Sequence, residues 1–178
     1  LGPVSVLPDR QGGGIGSAVD PAATAAAAPR HAPSDDLLGD PDALRARLDE
    51  DSYLYFQGVL DPDKLLALRR EMLTVLADHG WVLGGDLLMD AVVGGAAFHE
   101  DQEEFLDVYG DVQRLQAFHT FAHDDRLTDL MRQVVGPTAF PHPLKIARLA
   151  FPGQYEASTP PPQDYPNNQG STGLTAAW

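Results

Sequence analysis

The sequence predicts an α+β protein in which helices come first and extended structure follows. Three observations carry this reading. A helical pattern with clear start and stop signals fills 61–80, "DPDKLLALRREMLTVLADHG". Two or three shorter helical stretches, broken by glycine and capped by aspartate, fill 100–136. After Pro137 the mostly apolar "AFPHPLKIARLAFPG" (139–153) reads as a buried strand, and "LTAAW" (174–178) begins another. Helices followed by strands predict helices covering a β-structure.

Each element has a local reason. Residues 1–36 are dominated by Gly, Ala, Pro and Ser and show no sustained period, so they are expected to form a flexible tail that buries too little surface to offset its ordering entropy. The folded domain is expected over 37–178. In "DPDALRARLDED" Asp40 stands at an N-cap and Pro41 at the first helical position. "SYLYFQGVL" (52–60) is aromatic and alternating, which predicts a strand. Next comes the clearest helix, with Asp61 as cap, Pro62 as first residue and Gly80 as stop. Leu65, Leu68, Met72, Leu73 and Leu76 recur there at helical spacing, as expected of a helix packed on a sheet. "GGDLLMDAVVGG" (84–95) reads as a loop over a site. Beyond it Gly110 is expected to break a helix, Asp124 or Asp125 to cap the last one, and Gly136 to end it.

Composition limits the function. The 178 residues carry 26 acidic against 12 basic side chains, a formal charge of −14, which argues against nucleic acid or an anionic membrane as partner. No cysteine is present, which excludes disulfides, thiolate catalysis and cysteine metal sites and fits a cytoplasmic protein. No apolar run is long enough to span a bilayer. The opening residues lack the basic and apolar regions of a secretory signal.

Six histidines are candidates for chemistry. His119 and His123 lie four apart on a predicted helix, a spacing open to metal ligation or to packing, with no glutamate between them to make a metalloprotease motif. His79, in a last helical turn, suits the helix dipole. Lys145 and Arg148 interrupt the apolar run 144–151. Charges in a buried strand are costly unless paired, so either one of them faces an anionic ligand, or one reaches to solvent and the other pairs with a surface carboxylate.

Four stretches carry a family resemblance: "YLYFQGVLDPDKLLALRREML" (53–73), "YGDVQRLQAFHTFAHDDRL" (109–127), "HPLKIARLAFP" (142–152) and, most specifically, "TPPPQDYPNNQGSTGLTAAW" (159–178). Together they resemble the phytanoyl-CoA dioxygenase family of iron(II)/2-oxoglutarate oxygenases. The resemblance implies a double-stranded β-helix (a jelly-roll, cupin-like) flanked by helices, of which this chain would hold the helices and a partial barrel. It also implies a His-x-Asp pair as the first two iron ligands. Asp164 matches the carboxylate, and Pro162 stands where the histidine is expected. Proline offers no donor atom, so Asp164 is a residual ligand. The family's distal histidine and 2-oxoglutarate-binding arginine are expected beyond the position of Trp178.

These readings predict a degenerate family member that binds a small molecule without iron or 2-oxoglutarate. Asp164, Lys145 and His119 are the acid/base candidates for a non-oxidative step such as cyclisation or isomerisation, and Lys145 and Arg148 are the candidates for holding a cofactor or other anion. One alternative is an Fe(II)/2-oxoglutarate-dependent hydroxylase of a small-molecule or natural-product substrate, with Pro162 an altered ligand position. Another is a non-catalytic half-barrel that pairs with itself or a partner through an open sheet edge.

Overall fold

The computed structural model of the chain describes residues 32–95, 102–149, 151, 175 and 177. Five α-helices are described: α1 (Pro41–Asp51), α2 (Pro62–Asp78), α3 (Glu103–Gln113), α4 (Gln116–Phe121) and α5 (Asp125–Val135), with 3-10 turns at Asp35–Leu37 and Gly85–Asp90. The helix starts follow from their caps. Asp40 accepts a hydrogen bond from the Ala43 N–H at 3.1 Å, Asp61 from Asp63 at 2.9 Å and Asp124 from Arg126 at 3.0 Å. Pro41 and Pro62 fill first-turn positions whose N–H groups would have no helical partner.

Helix α2 ends in a Schellman turn. The Gly80 N–H donates to the Ala77 carbonyl at 2.9 Å and the Trp81 N–H to the Leu76 carbonyl at 2.8 Å, with Gly80 at φ +75°. This turn aims Trp81 into the main core, where its ring lies 5.7 Å from Phe105 and edge-on to Phe151 at 5.3 Å. Gly94 returns past the same turn so closely that a Cβ there would come within 2.9 Å of the Gly80 carbonyl. The returning chain forms an isolated antiparallel bridge, Val82 with Val93, which closes the loop carrying the second 3-10 turn against α2.

Buried side chains form two clusters. The larger joins Leu68, Met72, Leu73 and Leu76 of α2 to Trp81, to Phe105, Val108 and Val112 of α3, and to Phe118 and Phe121 of α4. The smaller joins Leu44 of α1 to Leu130 and Val134 of α5, with Leu37, Leu54 and Phe56 packed around it. Burying each of the large side chains contributes about 1.5–3 kcal/mol.

The expected α+β class, helices on a partial double-stranded β-helix, is overturned here: among the described residues the fold is helical and contains no strand, only isolated bridges. The two misread segments have identifiable reasons. Over 52–60 the alternation is genuine, but Ser52 (φ 64°) and Gly58 (φ 70°) take left-handed conformations near its two ends. Its backbone pairs instead with the first turn: the Ser34 N–H donates to the Tyr55 carbonyl at 2.7 Å, and the Gln57 N–H to the Asp35 carboxylate at 2.9 Å. Over 139–149, Pro141 and Pro143 remove ladder donors. The Lys145 ammonium takes the His142 and Pro143 carbonyls at 3.1 and 3.4 Å, and the Leu144 N–H donates to the His142 ring at 3.2 Å. Side chains thus occupy groups that a strand partner would use. Gly110 also fails to break its helix, and α3 passes through it. The expected loop over 84–95 contains a 3-10 turn.

The tail expected over 1–36 lies outside the described residues as far as residue 31, and Ser34 is buried. Most of the strand start expected at 174–178 lies outside them as well. Among the described residues no helix is long and apolar enough to cross a membrane.

Candidate functional site

Two of the candidate residues named from sequence meet at Gln113, the last residue of α3. The Nε2 of His119 lies 2.6 Å from the Gln113 carbonyl oxygen. A carbonyl only accepts, so Nε2 carries the hydrogen, and in the neutral ring Nδ1 keeps its lone pair. The ring is held edge-on against Phe118 at 5.6 Å. The Gln113 side-chain amide donates to the Tyr109 hydroxyl at 2.7 Å and to the Lys145 carbonyl at 3.1 Å. His119 and Lys145 therefore share one neighbour, although the Lys145 ammonium points back at its own loop. Arg148 is half-buried and engaged in a contact. Ala147, between the two cations, is 6% exposed and packs on the helical core. Asp164 and Pro162 lie outside the described residues.

A second arrangement was not foreseen from sequence. Helix α2, α4 and the start of α5 enclose an open cleft of about 390 Å³ with a floor of Leu68, Ala117 and Phe121. Lys64, Glu71, Thr120, His123 and Asp125 stand around it. Both members of an ion pair line it, Lys64 Nζ with Asp124 Oδ2 at 2.6 Å, in which the carboxylate side chain is 5% exposed and the lysine 61%. The Lys64 hydrogen bond, helped by the N–H groups of Arg126 and Leu127, holds the Asp124 carboxyl below the usual range against the opposing effect of burial. The same bond and the Asp124 charge raise Lys64, with Asp61 adding to it. Capping by Asp124 was legible in the sequence, but a lysine 60 positions away has no local signal.

Beyond the far end of α2, His79 Nε2 donates to Asp111 Oδ2 at 2.9 Å, and Arg114 Nη1 to Oδ1 of the same carboxylate at 2.5 Å. His79 is thus tied to α3, besides its place at a helix C-terminus.

The iron site implied by the family resemblance needs two histidines and a carboxylate. Among the described residues no group of three or more His, Asp or Glu side chains is placed to hold a metal ion. His119 spends Nε2 on a carbonyl, and His123, four residues on, is exposed at the cleft. At the expected ligand position Pro162 has no donor atom. Among the described residues no donor set fits iron, and Asp164 lies outside them. No family model, no curated protein and no solved structure matches the chain.

Proposed function

We propose that this chain is a relative of the phytanoyl-CoA dioxygenases that binds a small molecule without iron of its own and moves protons rather than oxygen. Support for the ancestry comes from "TPPPQDYPNNQG" (159–170), and support for lost iron from Pro162 within it. The observation that carries the chemical part is the His119–Gln113 hydrogen bond. It holds the imidazole as the Nε2–H tautomer, the state of a general base working through Nδ1. In this reading Lys145 and Asp164 are the further acid/base candidates, and Lys145 and Arg148 attract an anionic group.

Titration with Fe(II) and 2-oxoglutarate tests the first part, with metal retained after gel filtration as readout. The chain is expected to retain neither, and stoichiometric binding of both would refute the proposal. The Pro162→His variant separates the hydroxylase alternative, which expects that single change to raise iron affinity. Nitrogen-15 spectra of the histidine rings test the second part. The expected result is the Nε2–H tautomer for His119 near pH 8, and an Nδ1–H tautomer would remove it as a base of this kind.

A further inference from the structure

The two buried clusters divide the helical fold. Helices α2, α3 and α4 share the larger one, whereas α1 and α5 share the smaller. Three long-range hydrogen bonds close the second unit on itself. The Gly39 N–H donates to the Gln133 side chain at 2.8 Å, the Arg45 guanidinium to the Val134 carbonyl at 3.1 Å, and the Gln57 N–H to Asp35 at 2.9 Å. The units are joined by the chain at 59–61, at 122–124 and again after α5, where 136–146 leads back to Ala147 in the larger cluster, and across space by Lys64 of α2 holding Asp124, the N-cap of α5. That bond sits at the cleft, which residues of both units line. Clusters that share few contacts open separately, at free energies below that of global unfolding.

We infer that the Lys64–Asp124 pair is a latch between two separately opening units, and that its release lets the α1–α5 unit swing or unravel while the α2–α4 core stays folded, widening the cleft. The inference does not depend on the functional reading above. Its logic is that of a carboxylate desolvated on the protein side and compensated from the solvent side. Asp124 is 5% exposed and needs the lysine, whereas Lys64 is 61% exposed and can exchange Asp124 for water at little cost. Release would uncover Leu68 and Phe121, now 7% and 8% exposed, which form the cleft floor.

Native-state hydrogen exchange on the full chain tests this, comparing wild type with Lys64→Met and Asp124→Asn. The first removes the partner at an exposed position and leaves both buried clusters untouched. The second keeps an oxygen to accept the Arg126 N–H, so the helix cap survives while the charge is lost. Both variants are expected to speed exchange of α1 and α5 amides by roughly tenfold or more, with amides of α2 and α3 unchanged. In wild type the α1 and α5 amides are expected to open with a smaller urea dependence than those of α2. Equal acceleration in all five helices, no acceleration in either variant, or one shared urea slope would each overturn the latch.

Discussion

At the scale of single residues, Asp124 has two tasks that mutation separates. It caps α5 through the Arg126 N–H, and it answers Lys64. Asp124→Ala removes both, whereas Asp124→Asn keeps the cap. We expect the alanine variant to lose at least about 1 kcal/mol more than the asparagine variant, the usual worth of an N-cap, by urea denaturation. Equal losses would mean that the cap contributes nothing. Acid has a defined effect on the same residue. Asp124 and Asp111 both titrate below the usual carboxylate range, Asp124 through Lys64 and Asp111 through His79 and then Arg114. A carboxyl depressed by folding stabilises the native state fully above the unfolded value, near 3.9, and that contribution disappears as pH falls through the folded value. Lys64 is raised, so its share is present below about 10.4 and is lost only as pH rises through the folded value. Stability from this pair is therefore flat through neutrality and declines below about pH 4. Melting temperatures measured from pH 7 to 3 are expected to fall less steeply in Lys64→Met than in wild type. Parallel curves would show that the pair is not coupled to folding.

At the scale of elements, what was legible is what local chemistry decides. Asp40–Pro41 and Asp61–Pro62 announce α1 and α2 because cap and first-turn proline act within four residues, and Gly80 announces the stop because the left-handed turn needs it. Gly80→Ala forces a Cβ into φ +75° and is expected to cost about 1–2 kcal/mol. Gly110 behaves oppositely. It lies inside α3, and a Cβ there would meet only the Arg114 guanidinium at 3.9 Å. Gly110→Ala is expected to raise stability by about 0.5–1 kcal/mol, through a less disordered unfolded chain and a better helix former. A loss in thermal unfolding would show that the site is tighter than its geometry. The misread strands show where local reasoning stops. Alternation over 52–60 says that one face is buried, not what pairs with the backbone, and here the pairing is with Ser34 and Asp35. For 139–149 the apolar run favours a strand and Pro141 and Pro143 oppose it, and the prolines prevail. Of the candidate site, His119 and Lys145 were visible as residue types, but their meeting at Gln113 is a tertiary fact.

At the scale of the whole molecule, charge and packing act in opposite directions. The chain carries 14 more acidic than basic side chains, so most of its carboxylates have no cation to meet. Of the six ion pairs between described residues, four join positions three or four apart in the chain, where an exposed pair contributes only ~0.3–0.5 kcal/mol. Salt therefore screens two opposing quantities: a general self-repulsion that disfavours the compact state, and a few attractions that favour it. The excess of like charge outweighs the weak local pairs, so the melting temperature is expected to rise between about 10 and 150 mM sodium chloride, a range over which the screening length contracts from about 30 to 8 Å. The gain should be uneven. The Lys64–Asp124 bond is half open to solvent and also couples α5 to the core, so salt weakens it while relieving repulsion elsewhere. Exchange protection of α2 and α3 should increase with salt, and that of α1 and α5 should increase less or not at all. A fall in melting temperature would mean that the attractions dominate after all. A rise shared equally by every helix would mean that the ion pair at the cleft carries no special share of the coupling.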